Sequence, residues 1–274
     1  MKRIKLSLIF QVLIFLSWVI PTTGQVIPGI KSGKYLQEIK TEIELPKQAA
    51  TPVLKLFTDQ KQITAVMANG VYRKIGDVWT GEPFGTGWRT ATLDTKSSVW
   101  LASAHTIQQE GVSKQLELPE YAKNDTILCL FWENEKTLQV GTTNGLLTYD
   151  GNWAIVPMST GKRVNSILKD AKEDLWLATN DGLLRRMAGK WVNLDDDLMA
   201  YGLKRTYFAL ESGKTKADVL FGGLFSVGCI AEDGNHWLLR GADGLPYGPV
   251  TTIRKSGETM WFGTDRGAIK KDNS

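Results

Sequence analysis

The stretch Asp170-Ala171-Lys172-Glu173-Asp174-Leu175-Trp176-Leu177-Ala178-Thr179-Asn180-Asp181-Gly182-Leu183-Leu184 decides the fold, because the chain repeats it. Thr137-Leu138-Gln139-Val140-Gly141-Thr142-Thr143-Asn144-Gly145-Leu146-Leu147 is one copy, and Thr259-Met260-Trp261-Phe262-Gly263-Thr264-Asp265-Arg266-Gly267-Ala268-Ile269 is another. Weaker copies start at Ile63 and Val99, and a further copy at Val219 carries an extra pair of residues before Gly228. Counted at the position of Trp176, the copies fall at Thr64, Trp100, Gln139, Trp176, Leu220 and Trp261, in steps of 36, 39, 37, 44 and 41. A second tryptophan follows a glycine at an offset of 9, 8, 9 and 9: Gly70 to Trp79, Gly145 to Trp153, Gly182 to Trp191, Gly228 to Trp237. Short β-rich runs precede the copies at Thr90–Leu93, Thr126–Phe131, Val164–Leu168, Tyr207–Leu210 and Val250–Ile253.

Four short strands per repeat of about 40 residues is a β-propeller pattern. The fold expected is all-β: a propeller of four-stranded blades with six recognisable repeats, the last incomplete. Trp-Leu-Ala-Thr alternates as a strand wedged between blades, with Ala or Gly allowing close approach. The Asn/Asp-containing turn then ends on a Gly that takes a positive φ. One or two acidic oxygens per turn fall short of the 6–8 that calcium takes, so neither a metal nor a cofactor is expected. Tryptophans 100, 153, 176, 191, 237 and 261 are expected in the core by periodicity rather than as a sugar-stacking platform.

Outside the repeats the chain is ordinary: 274 residues, 42% hydrophobic, 23% charged, which excludes a disordered or fibrous protein. Residues 1–24 read as a signal peptide, with Lys2, Arg3 and Lys5 ahead of an apolar run from Leu6 to Ile20 and then Pro21-Thr22-Thr23-Gly24. Cleavage would remove three of 33 basic residues and leave 30 against 29 acidic ones, a net charge of +1 in place of +4. No argument for nucleic-acid binding survives that correction. The expected location is periplasmic or secreted, with no membrane span after cleavage. Residues 25–52 form a lead and residues 53–274 the propeller. The last repeat stops at Lys271-Asp272-Asn273-Ser274, before a closing strand. Either residues 25–52 supply that strand, through Tyr35, Leu36, Ile39, Ile43 and Leu45, or the repeats belong to a longer propeller; the lack of a tryptophan in Lys34–Leu45 favours the second.

The run from Asp170 to Leu183 resembles the two-component-regulator propeller repeat, as do the connector-like Asp233-Gly234-Asn235 and Gly244-Leu245-Pro246-Tyr247. The resemblance covers about residues 53–272 and is strongest in the copies at 139, 176 and 261. It implies an extracytoplasmic β-propeller of the kind found in bacterial hybrid sensors or in secreted proteins of polysaccharide-degrading systems. The sequence departs from the sensor pattern in carrying no kinase, regulator domain or transmembrane helix.

Chain reversals sort the polar residues. First-to-second and third-to-fourth turns share one face of a propeller, and second-to-third turns and blade connectors share the other. Arg89, Arg163 and Arg205 each stand just before a first strand, beside Trp88, Lys162 and Lys204. His105 and Arg266 sit in second-to-third turns, and Tyr201 and Tyr247 in connectors, so all ten residues belong to the connector face. Guanidinium forks with aromatic faces suit a sugar bearing a carboxylate or sulfate. The alternative is pairing with a nearby acid such as Asp94, Asp170, Asp195, Asp196 or Asp197.

The function expected is non-catalytic: an exported, sensor-like module that binds an anionic glycan or a protein partner on the connector face. The rival is a propeller polysaccharide lyase, with His105 as base and Tyr201 or Tyr247 as acid, or the N-terminal propeller of a larger enzyme or sensor. His236 lies in a third-to-fourth turn, opposite His105, so a two-histidine site is not expected. Gly-x-Ser-x-Gly and Cys-x-x-Cys are absent. Cys129 and Cys229 lie two repeats apart and are expected as separate buried thiols.

Overall fold

The structure is a computed structural model that describes residues 45–49, 52–58, 61–194, 205–213, 215, 218–233, 235–245, 248–257 and 259–272, all within the unit Thr41–Ser274. Each repeat folds into one antiparallel sheet whose strands follow chain order. Blade one holds β1 (Val53–Thr58), β2 (Gln62–Met67), β3 (Gly70–Ile75) and β4 (Val78–Pro83). Blade two holds β5 (Thr90–Leu93), β6 (Val99–Ala102), β7 (Thr106–Gln109) and β8 (Gln115–Glu117). Blade three holds β9 (Ile127–Trp132), β10 (Leu138–Thr142), β11 (Gly145–Tyr149) and β12 (Trp153–Ile155). Blade four holds β13 (Val164–Lys169), β14 (Leu175–Thr179), β15 (Gly182–Met187) and β16 (Lys190–Asn193). Blade five holds β17 (Tyr207–Ser212), β18 (Val219–Gly223), β19 (Val227–Ile230) and β20 (His236–Leu239), and blade six β21 (Val250–Ser256), β22 (Thr259–Thr264) and β23 (Gly267–Asp272). Among the described residues this is a six-bladed β-propeller whose last blade has three strands. No helix among the described residues is long and apolar enough to cross a membrane.

First strands contact one another in succession, β1 to β5, β9, β13, β17 and β21, so they line the centre. The core sits in the seams between blades. Trp176, Ala178 and Leu183 of blade four pack against Tyr207, Phe221 and Ile230 of blade five. Leu220, Ala209 and Val227 of blade five pack against Ile253, Met260 and Phe262 of blade six. Close approach requires a small residue at Gly222, where an added Cβ would lie 2.4 Å from the Val250 carbonyl of the next blade. The turn glycine Gly182 has φ of 119°, which is open to glycine and strained for other residues.

The segment 25–52, the less favoured of the two sources of a closing strand, falls mostly outside the described residues. Residues 45–49 are described, and they cover one face of blade one. Asn69 and Tyr72 hydrogen-bond to the Gln48 carbonyl at 2.8 and 3.1 Å, and Ala49 packs on Ala65, Met67 and Tyr72. Among the described residues no strand pairs with the outer edge of β23.

Two expectations are corrected. Trp79, Trp153 and Trp191 oppose Lys74, Tyr149 and Arg186, each four residues beyond its turn glycine. Trp237 instead opposes Cys229, three residues beyond Ser226, the residue that replaces the turn glycine in blade five. Gly228 lies inside β19 and is not a turn glycine, so its offset to Trp237 is a coincidence of spacing. Side chains alternate across a strand. Trp237 therefore faces blade six rather than the preceding blade, and it is 38% exposed rather than core. Cys129 and Cys229 are both free, Cys229 buried and Cys129 half-buried. Burial pushes each thiol up to about 12, so both stay protonated at neutral pH.

Candidate functional site

The connector face is built on a repeated hydroxyl turn. Thr142, Thr179 and Thr264 end their second strands and donate to the carbonyls of Gly145, Gly182 and Gly267 at 2.9, 2.6 and 3.0 Å. The same oxygens accept the backbone N–H groups of Asn144, Asp181 and Arg266, each at 3.1 Å. Ser103 accepts from the His105 N–H in the same way at 3.3 Å. A self-contained side chain-to-backbone turn of this kind fixes the backbone and leaves the third residue variable. That position carries Asn69, His105, Asn144, Asp181, Phe225 and Arg266 around the propeller. Sequence reading singled out only two of the six, although the recurring Thr-x-x-Gly spacing marks three of the positions.

Connectors are stitched to these turns. The Arg163 carbonyl accepts from Asn180 N–H, and the Arg205 carbonyl from Gly182 N–H, at 3.1 and 2.8 Å. The Asn180 side chain in turn accepts the Arg163 N–H at 2.7 Å. Arg89, Arg163 and Arg205 are all exposed at this end but differ in register. Arg163 directly precedes Val164, the partner of Thr179, and Arg205 stands two residues before Tyr207, the partner of the corresponding Gly223. Arg89 precedes Thr90, whose partner Ala102 lies one place further in.

Their side chains differ in partners. Lys162 and Arg205 both reach Asp181, the latter at 3.4 Å. The hydrogen bond from Lys162 holds the Asp181 carboxyl below the usual carboxylate range; burial opposes it, and the charges of Lys162 and Arg205 reinforce it. Arg163 donates from Nε to Asn165 Oδ1 at 3.0 Å, and Asn165 donates to the Tyr207 carbonyl of blade five at 2.7 Å. Among the described residues, the guanidinium groups of Arg89 and Arg266 make no hydrogen bond or ion pair. Trp88 is 6% exposed, stacked on Phe84 and packed with Val66, Ala91 and Leu101, so its ring belongs to the seam between blades one and two. His105 is exposed, and its Nδ1 lies 2.8 Å from the Asp125 carbonyl. A carbonyl only accepts, so this contact fixes the proton on Nδ1 and leaves Nε2 as the basic nitrogen. Burial raises the neighbouring Asp125 carboxyl above its ordinary value, offset in part by the Thr142 hydroxyl 3.5 Å away. Tyr201, Lys204 and Tyr247 lie outside the described residues, as do Asp195, Asp196 and Asp197.

Asp94 and Asp170 are not arginine partners on this face. Both stand in first-to-second turns, on the opposite side, where Asp94 accepts from the Trp100 indole at 3.0 Å and Asp170 from the Trp176 indole at 2.8 Å. His236 opens β20 and is likewise across the propeller from His105.

Among the described residues this is a six-bladed propeller whose connector face carries Arg89, Arg163, Arg205 and Arg266 beside the acids Asp125, Asp181 and Asp265 on a framework of repeated turns. No family model and no curated relative matches the chain. The extracellular domain of BT4673 from B. thetaiotaomicron, described as a one-component system, superposes with a TM-score of 0.62 at 20% identity over 80% of this chain and 32% of that one. The extracellular domain of the hybrid two-component system BT3049 from the same organism gives 0.51 at 13% identity, over 86% and 40%. A catalytically inactive virginiamycin B lyase from Staphylococcus aureus, solved with quinupristin, gives 0.64 at 17% identity, over 86% and 85%. The chain spans about a third of the length of the BT4673 domain it matches. These likenesses establish the propeller fold.

Proposed function

We propose that this protein is an exported, sensor-like propeller module that binds an anionic glycan on its connector face. The observation that carries the reading is the pair of exposed guanidiniums, Arg89 and Arg266, that have no partner among the described residues, on the face that also holds Arg163 and Arg205. A planar guanidinium is matched by the two oxygens of a carboxylate or sulfate. The propeller domains of extracellular sensors support an export route and a recognition role for the same fold.

The test compares polygalacturonate with its fully methyl-esterified form in a titration against the purified protein. Binding of the charged polymer alone, weakened about tenfold or more by Arg89→Ala with Arg266→Ala, is the expected result. Equal binding of both polymers, or none, overturns it. A lyase reading places the basic Nε2 of His105 on the same face. It requires unsaturated products from polygalacturonate that vanish in His105→Ala, and turnover retained in that variant removes His105 from the chemistry.

A further inference from the structure

A second feature lies on the opposite face, in the seam between blades five and six. At the corresponding place between blades four and five, Trp176 opposes Arg185 across the β14–β15 pair. The guanidinium carbon of Arg185 stands 4.6 Å over the Trp176 ring, and the two side chains fill the seam. In blade five the same pair of positions is Leu220 opposite Cys229. Both side chains are far smaller, and a cavity of about 330 Å³ takes the place of the indole and the guanidinium. Such a volume lies at the lower end of the range of small-molecule sites.

The walls of this cavity have one chemistry inside and another at the rim. Leu220, Cys229, Met260 and Leu239 form an apolar floor. Trp237 stands at its mouth because the register of β20 turns it toward blade six, unlike the tryptophans of blades one, three and four. Two cations, one acid and Leu238 complete the lining. The Asp218 carboxylate is committed to the backbone N–H groups of Thr215 and Glu232, at 2.8 and 3.0 Å. Lys255 donates to the Gly213 carbonyl at 2.8 Å. Lys271 is half-buried, and among the described residues its ammonium has no hydrogen-bond or ion-pair partner. A half-buried cation beside an apolar floor attracts an anionic group that arrives on an apolar body.

We infer that this cavity binds a planar apolar carboxylate of the arylacetate class, with its ring between Trp237 and Leu220 and its carboxylate on Lys271. The ring occupies the space that Trp176 fills one seam earlier. The site is separate from the arginine-bearing face, since Asp218, Leu220, Trp237, Lys255 and Lys271 lie toward the end of the blades where the first-to-second and third-to-fourth turns gather.

Isothermal titration with indole-3-acetate and with its neutral isostere indole-3-acetamide tests the assignment on the full chain. The acetate should bind saturably and the amide about tenfold more weakly or worse. Lys271→Gln, with folding checked by its melt, should erase that preference while leaving weak amide binding. Leu220→Phe should fill the cavity, weaken both probes and raise the melting temperature. Arg89→Ala with Arg266→Ala should leave both affinities unchanged. Absence of saturable binding by either probe at millimolar concentration overturns the inference, and so does a preference for the acetate that survives Lys271→Gln. If Leu220→Phe fails to fold, the Lys271→Gln result decides alone.

Discussion

At the face of the first-to-second turns, acids hold the fold, whereas at the connector face two cations, Arg89 and Arg266, make no hydrogen bond or ion pair among the described residues. Asp170 is 3% exposed. It accepts the backbone N–H groups of Lys172 and Asp174 at 2.8 and 3.0 Å and the Trp176 indole at 2.8 Å. Asp94 repeats the arrangement with Lys96, Ser98 and Trp100. In blade three Glu133 and Gln139 stand at the corresponding positions and bond to each other at 2.7 Å, and Glu133 also pairs with Arg186 of blade four. Arg89 and Arg266 have no such commitments among the described residues. The same repeat therefore yields acids bound into the fold at Asp94 and Asp170 on one face and two guanidiniums, Arg89 and Arg266, without such bonds among the described residues on the other, beside Lys162, Arg163 and Arg205, which are bonded.

The hardest test of that contrast is Asp170→Ala. It would leave a buried indole N–H and two backbone donors without an acceptor, and should cost about 3 kcal/mol in a urea melt. Asp170→Asn keeps an acceptor oxygen and should cost less. A loss under about 1 kcal/mol for the alanine variant would mean that these turns are not the anchor described.

Acid should act on the same face. For Asp94, burial alone would raise the carboxyl, but hydrogen bonds from Trp100, Ser98 and Lys96 hold it below its ordinary value. For Asp218, burial is likewise outweighed by the donors of Thr215 and Glu232. A depressed folded-state value means that the unfolded chain binds more protons as the pH falls past about 3.9. Their contribution is complete above that pH and is lost as acid titrates the folded carboxylates. Asp94→Asn with Asp218→Asn should lower the melting temperature at pH 7 and flatten its fall below pH 4; an unchanged acid limb would break the account.

The sequence reading recovered blade number and strand placement because both are periodic: the Trp176 position returns every 36 to 44 residues with its turn. It went astray where distance along the chain stood in for geometry. Asp94 is five residues from Arg89, yet a strand of four residues lies between them and carries them to opposite faces. The parity rule that sorted the arginines would have excluded that pairing had it been applied to the acids. Trp88 was read by its neighbour rather than by its burial. Trp237 needed the register of β19 with β20, which a longer turn alters and which glycine spacing alone conceals. The emptied seam beside it depends on two residues, Leu220 and Cys229, that meet only across a strand pair.

A smaller effect is expected at the centre. Lys55 lies on the innermost strand of blade one, and its amine is lowered from its ordinary value first by burial and then by Arg254, with Glu211 and Cys129 opposing. Arg254 is paired with Glu211 at 2.8 Å, so the anion nearest the centre is already engaged. Between the folded value and about 10.4 the unfolded chain holds more protons, and stability contributed by this group rises with pH across that interval. Lys55→Met should raise the melting temperature at pH 7 by about 2–4 °C and remove that rise. A drop in melting temperature would assign Lys55 a bonding role instead.

The smallest change in stability, and the sharpest separation of the two faces, should come from paired arginine deletions. Arg185→Ala, on the acid-rich face, removes a ring contact with Trp176 and two hydrogen bonds to Asp174 at 3.0 and 2.7 Å. It should cost about 1–2 kcal/mol. Arg89→Ala with Arg266→Ala removes two exposed guanidiniums that bond to nothing among the described residues, and should shift stability by under about 0.5 kcal/mol. Arg163→Ala with Arg205→Ala should fall between them, because Arg163 is tied to Asn165 and Arg205 to Asp181. If the Arg89 and Arg266 pair costs as much as Arg185, its charges are structural and the ligand surface loses its basis. If it costs nothing and charged-polymer binding also stays intact, Arg89 and Arg266 do not carry the recognition, and Arg163 with Arg205 is the next pair on that face to delete.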